Sequence, residues 1–353
     1  MASHRQTAIA ESIQECLLNQ KNPTFPAYIP AYFNIYCLHF ERVREELFNT
    51  LKRIWNIRPD EYVKSFTGKD ALVPMDDMGY SGSTFFHTRD DAYLIKSIPR
   101  HFEHSFFRDD MLVPYADHMQ TNPSSLLVRI TDFLQCARHS LGSIFGLVPS
   151  HHVIMENLMY GKSKDGRRDK DGNSLWQNWD LKPMSYFYPE RDVADGALSS
   201  EATKSKLADD FEETILLELD CAEAFKAQLE KDTKFLANCN VVDYSLILVR
   251  IPSKHVEFFE PANSLMPSHF PPFERSKPQN WRTGVPSADG KYIYRASILD
   301  FFWAKHKVHA KAMTGLVAAY NAVDTQGPMS VTTTAAEYRK RFLNMCRGII
   351  EIK

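Results

Sequence analysis

Apolar residues along the chain recur at two spacings, and the spacing changes several times. Ile9, Ile13, Cys16 and Leu17 fall at helical spacing before the Asn22-Pro23 break, which predicts an amphipathic helix that docks or frays. From Tyr32 to Trp55 the positions Phe40, Val43, Leu47, Leu51 and Ile54 recur at threes and fours, predicting one longer helix. Asp60-Glu61-Tyr62-Val63 then opens a short helix running to Gly68. Beyond it the period drops to two. Thr84 to Thr88 and Ala92 to Ile98 read as the strands of a hairpin, with Arg89-Asp90-Asp91 as the turn. Pro99 to His118 is helical again, with a break expected at Pro114.

Ser125 to Cys136 and Gly146 to Asn157 read as two strands of the same sheet, and residues 161–174 as a Gly/Asp/Lys-rich loop. Trp176 to Met184 is a strand carrying the run WDLK. Lys204 to Asn238 gives the strongest helical pattern, with Phe211, Ile215, Leu219, Phe225, Leu229, Phe235 and Leu236 as core positions. VVDYSLILVRI follows, apolar on both sides of Asp243. Residues 252–290, rich in Pro, Ser, Asn and Gly, read as a long excursion, after which KYIYRASILDFF is a strand with Asp300 at its end.

Composition narrows the classes. The 353 residues suffice for two domains at about 150 residues each. A net charge of −2 supplies no global field for nucleic acid or anionic lipid, so nucleic acid is not an expected partner and any membrane attraction must be local. The six cysteines are scattered without CxxC or CxH spacing, which argues against a zinc site or disulfide framework and fits a reducing, cytoplasmic setting. No apolar run approaches the roughly 20 residues that span a bilayer. The N-terminus lacks a basic region followed by an apolar one, so the protein is expected to be soluble or peripheral to a membrane.

Candidate chemistry starts at the hairpin. Gly79 and Gly82 precede its first strand, where missing side chains let backbone N–H groups close on a phosphate. Lys96 lies on the returning strand, so the turn carries its ammonium back toward the glycines. Taken alone, this stretch fits a surface hairpin with a Gly/Ser-rich approach better than a phosphate site. Glu103, on the next helix, is either a partner for Lys96 or a solvated surface acid. Asp180 and Lys182 share one face of a strand, as a salt bridge or as catalytic groups. Asp243 and Asp300 each interrupt an apolar strand, and a carboxylate there needs a partner, a metal or a purpose. Two acids after a glycine loop and a strand lysine meet the needs of Mg²⁺-dependent phosphoryl transfer, since Mg²⁺ takes one or two carboxylates plus phosphate oxygens.

In this order the segments resemble the phosphatidylinositol phosphate kinase family. The glycine loop and Lys96 resemble its SGxSGS…FIIK, WDLKPM its YDLKGS, and NCNVVDYSLILVRI its LMDYSLLVGIH. YIYRASILDFF resembles its YYIGIIDIL, and AAEYRKRFLNMC a C-terminal motif centred on YxkRF. The likeness runs from about Phe40 to the end, and HRD and DFG of conventional protein kinases are absent.

The resemblance implies an α+β, two-lobe kinase-like fold of the SAICAR synthase-like type with antiparallel sheets. Its parts would be an extension over residues 1–30, a nucleotide lobe over 31–158 and a catalytic lobe over 159–353. Gly79, Ser81, Gly82 and Ser83 would form the phosphate loop, with Lys96 as nucleotide lysine and Glu103 as its partner acid. Ile154, Met155, Glu156, Asn157 and Leu158 would hold adenine. Lys182, with Asp180, would serve the phosphates, Asp243 would be the catalytic acid, and Asp300 with Asp243 would hold Mg²⁺. The family's specificity loop falls at about residues 305–337. Its Lys305, Lys307 and Lys311, with His306 and His309, would face an anionic membrane, and its length resembles the short loop of type II enzymes.

ATP and Mg²⁺ are the implied cofactors and a phosphatidylinositol monophosphate the substrate, with the 4- and 5-phosphate isomers both open and a homodimer compatible. Two departures bear on the phosphates: Pro183-Met184 stand where the family has Gly-Ser, and Ala296-Ser297 where it has Ile-Gly. They leave two alternatives beside the lipid kinase, a weak pseudokinase scaffold binding nucleotide or phosphoinositide and a soluble inositol phosphate kinase.

Overall fold

The protein is described here by a computed structural model covering residues 4–18, 38–75, 83–137, 148–166, 168–183, 211–253, 280–304 and 334–353. It divides into two compact units that interleave along the chain. The described parts of Met1–His104 and Arg129–Gly166 form the first, and those of Ser105–Val128 and of everything after Gly166 form the second.

In the first unit, helix α1 (His4–Leu17) buries Ile9, Ile13 and Leu17 and is tied down by Ser12, which accepts the Leu38 N–H at 3.1 Å. It docks. Strand β1 (Phe40–Arg42) follows, then α2 (Glu45–Ile54), α3 (Pro59–Ser65), β2 (Leu72–Pro74), β3 (Phe85–Thr88), β4 (Tyr93–Ser97), β5 (Ile130–Cys136) and β6 (His151–Glu156). These strands make one antiparallel sheet ordered β1-β5-β6-β4-β3-β2. The single helix expected from Tyr32 to Trp55 is therefore wrong at Phe40. Its three- and four-residue spacing coincides over so short a run with a strand that pairs β5, and Arg44, in left-handed backbone at φ 53°, separates that strand from α2. The β3–β4 hairpin is as expected, its turn held by Asp90, which accepts from the Thr88 hydroxyl at 2.6 Å and the Ala92 N–H at 3.0 Å.

A carboxylate organises the centre of this unit. Asp132 of β5 is 0% exposed and accepts both forks of Arg42 at 3.0 Å, the Lys52 ammonium at 3.0 Å and the Tyr62 hydroxyl at 2.6 Å. Four donors from β1, α2 and α3 thus meet one acid on the sheet.

The second unit begins with the end of α4 (His101–Phe106), a π-helical turn (Phe107–Met111) and α5 (Leu112–Thr121). The irregularity expected at Pro114 is that wide turn, one step upstream. A proline clashes with the carbonyl four residues before it and is tolerated in a first helical turn, so the helix widens ahead of Pro114 and restarts at Leu112. The remaining elements are β7 (Gln177–Leu181), β8 (Ile215–Leu217), α6 (Leu219–Asn238), β9 (Val241–Val242), β10 (Ser245–Pro252), β11 (Val285–Pro286), β12 (Tyr292–Leu299), β13 (Trp303–Ala304), α7 (Ala335–Gly348) and β14 (Ile350–Ile352). The main sheet is antiparallel, ordered β11-β12-β10-β7, with two-stranded pairs β13-β9 and β14-β8 beside it.

Here the pattern from Lys204 to Asn238 needs correction, because Ile215 lies on β8, paired in parallel with β14, and the helix starts only at Leu219. Leu219 itself is 55% exposed. Asp232 of α6 plays the part that Asp132 plays in the first unit. At 0% exposure it accepts from His118 Nε2 at 2.7 Å, the Ser125 hydroxyl at 2.9 Å and the Leu126 N–H at 2.7 Å. Leu126–Val128 in turn flanks β12, exchanging main-chain bonds with Ile298. No described helix is long and apolar enough to cross a membrane.

Two predictions follow from the first unit's buried polar groups. Asp132→Ala strands Lys52 as a buried charge and leaves Arg42 its bond to the half-exposed Glu45, and should cost about 3–5 kcal/mol in urea unfolding; a loss under about 1 kcal/mol would mean that the four donors are not organised by the acid. His152 is fully buried on β6 with neither ring nitrogen hydrogen-bonded among the described residues, and burial pushes its pKa down to about 3. The unfolded imidazole, near 6.5, binds a proton that the folded one refuses. Stability should therefore fall as pH drops from about 6.5 toward 3, by up to about 1.4 kcal/mol per unit, and His152→Leu should flatten that part of the profile.

Candidate active site

In the first unit, the β3–β4 pairing sets Phe85 opposite Lys96, and β4–β6 pairing sets Lys96 opposite Val153. Lys96 is buried on the sheet, its ammonium 5.6 Å from the centre of the Phe85 ring. Register alone therefore brings Lys96 beside the segment beginning at Ile154. Ile154, Met155 and Glu156 end β6, opposite Ile95, Leu94 and Tyr93. Glu156 is buried, and its carboxylate accepts the Arg129 N–H at 3.0 Å. Asn157 then donates its N–H to the Ala92 carbonyl at 3.1 Å, and Leu158 is buried. Ser83 is buried just before β3, whereas Gly79, Ser81 and Gly82 lie outside the described residues. Glu103 accepts a bond from Arg100 at 3.1 Å.

In the second unit, the central feature is an interruption. Strands β10 and β12 pair from Pro252↔Tyr292 to Ser245↔Leu299, and pairing resumes at Val242↔Trp303 between β9 and β13. Asp243 and Tyr244 fill the gap on one side, with Asp300, Phe301 and Phe302 on the other. Two residues oppose three, so the ladder slips by one, as in a bulge. Asp243 and Asp300 take up that slip in left-handed backbone, at φ 65° and 62°. Asn and Asp tolerate this region better than other residues with a Cβ. The two acids that the sequence marks are thus both presented where the β10–β12 ladder gives way to the β9–β13 pair.

Lys182 completes the group. It lies one residue beyond β7, whose Leu181 is opposite Leu246, and donates to Asp243 at 2.9 Å. Burial pulls its pKa down, but Asp243 first, then Asp180 and Asp300, outweigh that effect, and the ammonium titrates well above the ordinary lysine range. Asp180, exposed on β7 opposite Ile247, adds its negative charge to the field at Lys182. Asp243 keeps 32% of its side chain exposed, so its second oxygen has solvent-facing room that Asp132 and Asp232 lack. Pro183, next to Lys182, is buried.

Among the described residues, no three His, Cys, Asp or Glu side chains converge as a protein-only metal cage would require. Mg²⁺ asks for less, and a pair of hard carboxylate donors flanking one ladder break fits it in kind.

A family model described as phosphatidylinositol-4-phosphate 5-kinase matches residues 66–349. The chain belongs to this family. The match spans Lys96, Lys182, Asp243 and Asp300, and the α+β architecture with antiparallel sheets is the one expected of the phosphatidylinositol phosphate kinases. Among relatives, phosphatidylinositol 4-phosphate 5-kinase 4 of Arabidopsis thaliana is 30% identical over 205 residues, 57% of this chain and 24% of that protein. A probable phosphatidylinositol phosphate kinase of Dictyostelium discoideum is 30% identical over 226 residues, 63% of this chain and 29% of that protein. A phosphatidylinositol 4-phosphate 5-kinase of Schizosaccharomyces pombe is 32% identical over 123 residues, 35% of this chain and 16% of that protein. The chain spans well under a third of the length of these curated relatives.

Of the residues expected to act, Lys182, Asp180, Asp243 and Asp300 are brought into one electrostatic group, and Lys96 and 154–158 into one region of the first sheet. Met184, Lys305, His306, Lys307, His309 and Lys311 lie outside the described residues. Sequence reading missed the aromatic support beneath Asp243. Tyr244, fully buried, sits edge-on to Tyr338 at 4.7 Å and to Phe342 at 4.8 Å, and the Tyr338 hydroxyl donates to the Tyr244 carbonyl. Its only signal was the i, i+4 spacing of Tyr338 and Phe342 on one helix.

Because Asp243 is the leading stabiliser of the Lys182 charge, Asp243→Asn should lower the Lys182 pKa. Competitive amine labelling at pH 9, read by mass spectrometry, should find Lys182 several-fold more reactive in the variant, as expected when an opposite charge is removed. Equal labelling would mean that the 2.9 Å pair does not govern Lys182.

Proposed function

We propose that this chain transfers the γ-phosphoryl group of ATP to a headgroup hydroxyl of a phosphatidylinositol monophosphate, yielding the bisphosphate, at a membrane surface. One observation carries the reading: within a chain of the phosphatidylinositol-4-phosphate 5-kinase family, Asp243 and Asp300 leave the same ladder break in left-handed backbone, with Lys182 bonded to the first. In the reaction, an O–P bond forms between the headgroup oxygen and the γ-phosphorus as the bond to the β–γ bridging oxygen breaks, and ADP leaves. Asp243 orients the attacking hydroxyl and takes its proton. Lys182, its charge secured by Asp243, Asp180 and Asp300, offsets negative charge on the transferring group.

Asp300 and Asp243 are the residues that would hold Mg²⁺. When bound, the ion neutralises charge on the β- and γ-phosphate oxygens. Lys96, supported by its strand neighbours, serves the nucleotide phosphates, and backbone groups of 154–158 serve the base. Lys305, Lys307 and Lys311 supply local positive charge for an anionic bilayer, each contributing about 1 kcal/mol near the surface.

Pro183 favours a second reading, a scaffold that binds nucleotide or phosphoinositide with little turnover, because proline next to Lys182 removes an N–H and fixes φ where the family's motif has glycine.

The test is transfer of labelled γ-phosphate from Mg-ATP to vesicles carrying each phosphatidylinositol monophosphate in turn, with soluble inositol phosphates as controls. Lipid-dependent incorporation is expected, with Lys96→Ala abolishing the thermal stabilisation by Mg-ATP while leaving the unliganded Tm nearly unchanged. Stabilisation by Mg-ATP without turnover on any acceptor would favour the scaffold, and turnover on soluble headgroups alone would remove the membrane from the account.

A further inference from the structure

We infer that Tyr338 of α7 is a positioning residue for Asp243: by donating its hydroxyl to the Tyr244 carbonyl and clamping the Tyr244 ring together with Phe342, it holds the turn on which Asp243 is presented. The kinetic arm of this inference rests on the proposed function; its structural arm does not.

The argument starts from a backbone cost. A residue with a Cβ in the left-handed region is strained by roughly 1 kcal/mol or more, and persists there only when its surroundings over-determine it. Among the described residues Asp243 has no ladder partner, since pairing stops at Ser245↔Leu299 and resumes at Val242↔Trp303. What fixes the next residue therefore fixes Asp243. Tyr244 is fixed twice. Its ring is enclosed edge-on by Tyr338 and Phe342, all three side chains being fully buried, and its carbonyl, in a stretch without cross-strand pairing, receives the Tyr338 hydroxyl. For Asp243 to relax toward extended or right-handed backbone, the Tyr244 ring would have to leave this enclosure.

The clamp is itself on a rigid support. Thr334 caps α7 by accepting the Glu337 N–H at 3.2 Å. Further along, Arg339 donates to the Thr233 hydroxyl at 3.2 Å and to the Glu230 carboxylate, and Arg347 also binds Glu230, so α7 is pinned to α6. A purely apolar filler would need no hydroxyl. The Tyr338 hydroxyl instead meets main chain one residue from the acid that bonds Lys182 at 2.9 Å.

Tyr338→Phe removes the hydroxyl and keeps the ring. The primary readout is hydrogen–deuterium exchange of the peptide spanning residues 242–246, followed by mass spectrometry, which reports the turn without any requirement for activity. If Tyr338 holds that turn, the peptide should exchange about tenfold or more faster in Tyr338→Phe, because the Tyr244 carbonyl has lost its donor. Phe225→Leu is the control; Phe225 packs on Trp281 at 4.1 Å in the same unit, and its truncation lowers stability without touching the clamp. It should leave exchange of that peptide as in wild type. On vesicles, Tyr338→Phe should lower kcat about tenfold with KM for ATP unchanged, as for an interaction that matters in the transfer step.

Unchanged exchange of the 242–246 peptide in a folded Tyr338→Phe protein would overturn the inference, as would faster exchange with wild-type kcat. Faster exchange with a wild type that phosphorylates no phosphoinositide would sustain the positioning role and reject the proposed function. Should Tyr338→Phe not fold, Phe342→Leu, which loosens the ring enclosure and leaves the hydroxyl bond, is read by the same exchange criterion.

Discussion

A left-handed backbone at two aspartates, where the β10–β12 ladder gives way to the β9–β13 pair, is the constraint on which the candidate site depends. Among the described residues, six of the seven non-glycine positions at positive φ are Asn or Asp, and most of them sit in turns or at element ends where that conformation is common. Asp243 and Asp300 differ in setting, because each lies between strands of buried side chains. Eight paired positions between β10 and β12, with β9–β13 beyond, outweigh a local cost of about 1 kcal/mol per residue. The slip of two residues against three turns both carboxylates out of the apolar ladder. That resolves the difficulty the sequence poses, an acid in the middle of VVDYSLILVRI, without burying its charge.

The chain handles its other central carboxylates in the opposite way. Asp132 and Asp232 are fully buried and surrounded by donors from several elements, which is how a folded protein makes a buried acid structural. Asp243 is bonded to one lysine, partly exposed, and charge-linked to Asp180 and Asp300 through that lysine. Saturation separates the scaffold acids from the acid available for chemistry. It also explains why Lys182 keeps its proton despite burial, since Asp243 bonds it and the charges of Asp180 and Asp300 add to that hold.

Much of this was legible in the sequence where a local signal was strong. The β3–β4 hairpin followed from Arg89-Asp90-Asp91 between alternating runs, and Asp90 closes that turn with the bonds its side chain allows. Asp243 and Asp300 stood out because each broke an apolar strand. Phe40 and Ile215 were misplaced because a spacing of three or four over a short run does not distinguish a helix from a strand whose partner is remote, β5 in one case and β14 in the other. Asp132 and Asp232 gave no readable signal of their roles, and Tyr338 gave only its place in the YxkRF-like motif, four residues before Phe342. Their partners are distant in sequence, 80 residues away for Lys52, 107 for Ser125 and 94 for Tyr244, and only the fold brings them together.

The central claim is that Asp243 serves the transfer of a phosphoryl group and not the architecture. The most direct measurement is single-turnover transfer from labelled ATP to phosphatidylinositol monophosphate vesicles by Asp243→Asn, a substitution that keeps the tolerance for left-handed backbone and removes the charge. The account predicts a transfer rate at least about a thousandfold below wild type with ATP affinity and unfolding midpoint little changed, the pattern of a group needed only in the transition state. A transfer rate within about tenfold of wild type would contradict it.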